Sequence, residues 1–286
     1  MPSLDTLLPH LGPALLVLFR LSGLAIFAPM FGSSAVPRLV KALLIALLGL
    51  AVYPTLASRT LAGSAVPLSL GSLAPLVACE LLVGAVVGFL AMLPLIATQM
   101  GGLVISQQMG LGFARIYNPM LEEEGDSIEQ LLFFLGLAAF LAVGGHEQVI
   151  AAVLRSFQFI RFGGVGEVVA VGGYGLDNGF IRLFASVLLA ATELALRVSA
   201  PLLALFFLES VAMGFLSKSV PALNLMSLGF PLRIMVGLGV MVLGMGAIGE
   251  ALRAFTAWDM EVLSDWLTLA RPADLIAPAL GAGGGA

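Results

Sequence analysis

Long runs without an ionisable side chain dominate this sequence, and their lengths predict helices in a membrane. A charge in hydrocarbon costs several kcal/mol, and about 20 helical residues are needed to cross, so each uncharged run is a candidate span. Leu21 to Pro37 and Ala42 to Ser58 are uncharged but short or proline-marked. Leu81 to Ala114 holds 34 residues without a charge. As helix that is roughly 50 Å, too long for one simple crossing. Within it, Gly101-Gly102 followed by Ser106, Gln107 and Gln108 predicts that the apolar helix ends near Thr98, and that the residues beyond it are buried in protein or line a polar cavity. Gln130 to Gly145 comes next, then GGHEQ and a shorter amphipathic piece to Arg161.

A Gly-rich connection, FGGVGEVVAVGGYGLDNG, separates two halves. The second opens with Phe180 to Ser217, a helical stretch punctured by Arg182, Glu193, Arg197, Pro201 and Glu209. Glu193, Arg197 and Pro201 fall four apart on one face, and Glu193 before Arg197 is the favoured order for an ion pair within a helix. That pair is either an internally compensated stripe against neighbouring helices or a pair of charges facing a polar conduit. Phe230 to Ala251 carries Gly237 and Gly244, and also Gly239 and Gly246, as nearly aligned stripes; with Gly84 and Gly88 they predict close helix contacts. The expected organisation is a single all-α, membrane-embedded unit over 1–270, with a first half of about 1–162, the connection at 163–179, a second half at 180–270, and a disordered tail at 271–286 ending in GAGGGA.

Composition narrows the function. Of 286 residues 60% are hydrophobic and only 10% charged, against about 25% charged in a water-soluble domain. The formal charge of −4 and the absence of a Lys/Arg run leave no field for nucleic acid. Cys79 has no partner thiol, and His10 and His146 stand 136 residues apart without ligand spacing, so neither a metal nor a cofactor is expected. No phosphate-cradling loop, zinc-protease helix or nucleophile elbow is present, which argues against an enzyme. The N-terminus has Asp5 instead of a basic start and no cleavage pattern, so a removed signal peptide is not expected.

The apolar pattern breaks at QQMGLGFARIYNPMLEEEGDS, Gln107 to Ser127, where five acids lie between Glu122 and Glu129. This stretch belongs to a larger set of motifs. RLSGLAIFAPMFGSSAVPRLVKALLIALL, ISQQMGLGFARIYNP, FLAVGGHEQVIAAVLRSFQFI and KSVPALNLMSLGFPLRIMVGL occur in that order. Together they resemble the FliR family of flagellar type III export apparatus proteins, from about Arg20 to Arg253. GFPLR, at Gly229 to Arg233, resembles the flagellar branch more than the virulence (SctT) injectisome branch.

The resemblance implies a subunit of the bacterial inner membrane, in the flagellar basal body, that joins FliP and FliQ in a conical export gate. Unfolded flagellar proteins would pass through that gate, delivered by FlhB, FlhA and a soluble ATPase. It also implies a FliP-like first half fused to a FliQ-like second half, with helical hairpins packed inside the assembly. The segment after Gln107 would then sit at the lumen and help plug the closed channel. Gly110 and Gly112 suit tight turns there, Phe113 and Tyr117 supply bulk, Met109 and Met120 adaptable packing, and Asn118-Pro119 ends helical structure. The bland alternative is a hairpin connection on either side of the membrane. In the block from Pro221 to Pro231, Asn224 suits a helix cap or a subunit contact, and Arg233 is expected to pair with an acid on a partner or on this chain. A small-molecule carrier with a site near Gln107, Glu193 and Arg197, and a membrane scaffold without a lumen, are the competing functions.

Overall fold

The computed structural model describes residues 4–29, 36–57, 70–111, 127–160, 162, 179–219 and 225–269. Among the described residues every regular element is a helix: α1 (Leu4–Phe27), α2 (Arg38–Ala57), α3 (Leu70–Met109), α4 (Ser127–Ala142), α5 (Gly145–Phe159), α6 (Gly179–Ser219) and α7 (Leu225–Leu269). A helix satisfies its backbone groups internally, which is why apolar runs rich in Leu, Ala and Met adopt it in a bilayer. Five of these helices, α1, α2, α3, α6 and α7, contain stretches long and apolar enough to cross a membrane. The pair α4 and α5, bent by 65°, is a broken span or a re-entrant hairpin. The bend falls at Gly144, whose φ of 76° is in the left-handed region that glycine enters without strain. The chain is therefore a polytopic helical membrane protein.

Three helices exceed what a simple span needs. With 40, 41 and 45 residues, α3, α6 and α7 are roughly 60–68 Å long, about twice the thickness of the hydrocarbon. Part of each lies outside the apolar layer, or the helix is steeply tilted. One expectation is corrected here: α3 does not end near Thr98 but runs unbroken to Met109. Gly101 and Gly102 admit neighbouring backbone instead of stopping the helix. A Cβ at Gly101 would lie 3.1 Å from the carbonyl oxygen of Ala195 on α6, and one at Gly102 would lie 2.8 Å from Cα of Glu129 on α4.

Two compact units emerge, drawn from alternating stretches of chain. The first takes Met1–Met92, Gly144–Val187 and Trp258–Ala286; the second takes Leu93–Val143 and Leu188–Ala257. In the first unit α1 packs against α2 and crosses α3 at backbone distance. Gly23 of α1 faces the Leu81 carbonyl, and Gly84 and Gly88 of α3 face the carbonyls of Arg20 and Leu24, leaving no room for a side chain. In the second unit α3, α4, α6 and α7 share an apolar core that includes Ile105, Met109, Leu132, Leu202, Phe206 and Met241. Of the glycine stripes on α7 only Gly237 is packed, against Phe206 and Met109; a Cβ at Gly239, Gly244 or Gly246 would meet nothing within 4 Å. The connection at 163–179 lies outside the described residues except for Gly179, and so does the tail at 271–286.

Candidate functional site

The last turn of α3 shows how the long apolar helix is brought to a stop. Gly110 adopts φ 80°; its N–H donates to the Gln107 carbonyl at 3.1 Å, and the Leu111 N–H donates to the Ser106 carbonyl at 3.2 Å. These two bonds form a Schellman motif, in which a left-handed residue folds the chain back onto the helix end. Leu111 packs against the apolar core, the hydrophobic contact that accompanies such a cap. Met109 is fully buried and wedged by Gly237, where an added Cβ would lie 3.1 Å from its Cε. Gln107 and Gln108 are exposed.

A charge on α7 completes this end. Nη1 of Arg233 donates to the Gln108 carbonyl at 3.2 Å. Nε donates to Oε2 of Glu209 on α6 at 3.2 Å, and Nη2 donates to Oγ of Ser210 at 2.8 Å. The guanidinium carbon lies 5.9 Å from the centre of the Phe206 ring, within cation–π reach. Arg233 thus finds its acid on its own chain. It lies just beyond Pro231, and α7 continues through that proline. Among the described residues no cluster of three or more His, Cys, Asp or Glu could hold a metal.

Comparison with known proteins supplies the context. Residues 11–257 match the family described as bacterial export proteins, family 1. The chain belongs to that family. It is similar to the flagellar biosynthetic protein FliR of Bacillus subtilis, 28% identical over 89% of this chain and 94% of the relative, and to that of Caulobacter vibrioides, 26% identical over 82% and 89%. A Yersinia pestis relative, Yop proteins translocation protein T, is 27% identical over 65% of this chain and 67% of its own length.

In this export-family chain the other candidate residues fall into two groups. Gly112, Phe113, Tyr117, Asn118, Pro119 and Met120 lie outside the described residues, as do Pro221 and Asn224. Glu193 and Arg197 are described: Nη2 of Arg197 donates to Oε1 of Glu193 at 2.6 Å, with both side chains largely exposed. Arg197 stands at the rim of an apolar groove of about 260 Å³ lined by Pro201 and Leu202 of α6 and by Gly244, Ala247 and Ala251 of α7. An exposed pair one helical turn apart contributes only ~0.3–0.5 kcal/mol. Arg197→Leu is therefore expected to leave recovery of the chain with its co-purifying subunits nearly unchanged. Arg197→Glu sets two carboxylates on one face, a repulsion of similar size, and is expected to lower it more than Arg197→Leu does; equal losses would rule out the pairing as the relevant interaction.

Some charged positions were not anticipated. Arg20 and Glu80, both buried, pair at 2.5 Å between α1 and α3 of the first unit. Nη1 of Arg20 also donates to Ser156 Oγ at 3.1 Å, and the guanidinium lies over the Phe157 ring at 4.2 Å. Asp259 of α7 is buried and neither carboxylate oxygen has a hydrogen-bond partner. The available signal was only that an ionisable residue inside an apolar span has to be accounted for.

Proposed function

We propose that the chain is a subunit of the flagellar type III protein export apparatus of the bacterial inner membrane, helping to form and seal the channel through which unfolded flagellar proteins leave the cell. The observation that carries this is the family match over 11–257, together with FliR relatives that align over most of both chains and five helices fit to cross a membrane. The Yersinia relative favours one second reading, the equivalent subunit of a virulence injectisome.

An export apparatus is a multi-subunit complex, and the surface suits one. On α6 and α7 the large side chains of Leu189, Phe207, Phe215, Met235 and Leu243 are mostly exposed. Helices about twice as long as the bilayer is thick would carry such side chains beyond the lipid, where they need covering by protein. FliP and FliQ are the partners proposed for that cover, with FlhB and FlhA delivering substrate. The halves at about 1–162 and 180–270 are proposed to be FliP-like and FliQ-like. Gly110 to Tyr117 is proposed to seal the lumen. In that role Met109, taken up by the core, anchors the base of the segment and leaves bulk to Phe113 and Tyr117.

The test is to delete Phe113 to Tyr117 and co-express the chain with FliP and FliQ. The complex is expected to form, while the cells leak small solutes and grow slowly. Normal assembly, normal export and tight membranes would refute the seal. Failure of FliP and FliQ to co-purify with the unaltered chain, combined with solute-dependent stabilisation, would replace the export reading with that of a carrier.

A further inference from the structure

The groove between α6 and α7 in the second unit is charged at one end only. The two helices run antiparallel there, since Phe206 meets Gly237 and Glu209 pairs with Arg233. One end of the groove therefore lies at Leu202 and Val240, the other at Arg197 and Ala251. At the second end Glu193 and Arg197 of α6 have largely exposed side chains. Glu250 and Arg253, exposed on the neighbouring turns of α7, add one more charge of each sign. Toward the first end the next ionisable residues are Glu209 and Arg233, which hold each other. The lining beyond Arg197 carries no ionisable group, and it belongs to stretches of α6 and α7 that are apolar enough to cross a membrane.

A cavity with that polarity matches an amphiphile. From Val240 to Ala251 it runs roughly 16 Å, at 1.5 Å per residue, and its volume is about 260 Å³. A helix about 10 Å across would fill more than roughly 1,000 Å³ over such a length. The space therefore admits one alkyl chain and not a partner helix. Gly244 keeps it open: a Cβ there would meet nothing within 4 Å, and a larger side chain at this lining position would take up the room. The charged end is matched as well. Among the described residues the Arg197 guanidinium bonds only to Glu193, through Nη2 at 2.6 Å, which leaves N–H groups for a phosphate, an anion that a guanidinium meets with two parallel bonds. Glu193 gives Oε1 to that bond and keeps Oε2 for a cation. Two acids and two bases at this end cancel, so no net positive field gathers an anionic headgroup. A headgroup carrying both charges is the complementary one, and a primary ammonium brings the N–H donors that a carboxylate accepts, which a quaternary ammonium lacks.

We propose that the groove between α6 and α7 binds one zwitterionic phospholipid of the ethanolamine class, with an acyl chain along Pro201 and Gly244, its phosphate on Arg197 and its ammonium on Glu193. The site does not depend on the export reading; it requires only that the chain sits in a bilayer.

The test uses the chain with its co-purifying subunits, reconstituted in phosphatidylcholine vesicles that hold a small fraction of phosphatidylethanolamine with a photoreactive group in one acyl chain. Parallel samples carry the same group on phosphatidylcholine or on phosphatidylglycerol. Label on residues 197–202 and 240–251 is mapped by mass spectrometry and divided by label on the exposed apolar side chains around Phe215. That ratio is expected to be about fivefold higher for the ethanolamine probe than for either other headgroup, the upper range for an exposed charge pair. Gly244→Leu is expected to bring all three probes to one low value. Arg197→Leu is expected to abolish the headgroup preference. So is the exchange Glu193→Arg with Arg197→Glu, which keeps an ion pair but moves the cation one turn away from the groove. Equal ratios for the three probes on the unaltered chain, or a preference for phosphatidylglycerol, overturn the proposal. Labelling of the groove in the chain alone but not with its subunits assigns the groove to a partner subunit and also overturns it. Should Gly244→Leu fail to assemble, the two charge variants decide, and an unchanged ethanolamine preference in both overturns the site.

Discussion

Gly84→Ala is expected to remove most of the folded chain from the membrane, whereas Gly239→Ala leaves its level unchanged. Both positions are helical, so helix propensity favours alanine at each by up to ~1 kcal/mol. The difference lies in what a methyl group meets. At Gly84 it would overlap the carbonyl oxygen of Arg20 and stand 2.8 Å from the amide nitrogen of Leu24. These are backbone atoms of α1 and cannot rotate aside, so α1 and α3 must separate. Overpacking costs about 1–3 kcal/mol where side chains can adjust, and more is expected where only helix displacement relieves it. Separation would also pull Glu80, one turn before Gly84, away from Arg20. At Gly239 there is nothing within 4 Å. The measurement is the amount and protease resistance of the chain in membranes when it is expressed without partner subunits, so that only contacts within the chain are read. Equal levels for the two variants would mean that the close crossing of α1 and α3 is not a determinant of the fold.

Those glycines also mark what a sequence pattern conveys and what it does not. Small residues one or two turns apart announce that a helix is able to approach another closely, and Gly84 and Gly88 do so. Gly239 with Gly246, and Gly244 with Gly237, form stripes at two turns, yet Gly239, Gly244 and Gly246 face open space in this chain, because periodicity fixes a face but not its occupant. At Gly101-Gly102 the pattern suggested an ending, since paired glycines and nearby amides often punctuate a helix. The structure uses them for contact with Ala195 and Glu129, a long-range cause that local spacing does not contain.

The candidate site divides in the same way. Gly110 is legible as a turn because a left-handed residue at a helix end is most often glycine, and Glu193 with Arg197 is legible because both partners lie one turn apart on one helix. The cap on Gln108 is not. Its donor lies 125 residues away, and only folding brings α7 to the end of α3. Nor does the sequence pair Arg20 with Glu80, 60 residues apart. Hydropathy shows that each of these charges is out of place in an apolar run; the fold decides which acid answers which base.

Arg20→Met alone is therefore expected to be far more damaging than Arg20→Met combined with Glu80→Leu. Both side chains are essentially inaccessible to solvent, and removing one half of a buried pair takes the direct counter-charge from the other at a cost of about 3–5 kcal/mol. That is a large fraction of the roughly 5–15 kcal/mol that holds a typical protein together. Replacing both halves with apolar groups of similar volume removes the charge instead of stranding it, an exchange that is often neutral or stabilising. The surroundings permit such recovery. Ser156 Oγ, one acceptor of Arg20, already donates to the Val153 carbonyl at 2.7 Å and keeps that bond. The Ile160 carbonyl loses only a long bond of 3.4 Å, and a methionine can lie over the Phe157 ring as the guanidinium did. The single variant should be nearly absent from membranes and the double variant should regain most of the wild-type level and thermal resistance, read on the co-expressed complex. If the double variant is as depleted as Arg20→Met, the pair supplies directional positioning of α1, α3 and α5 that apolar packing does not replace, and its worth lies in geometry beyond charge compensation.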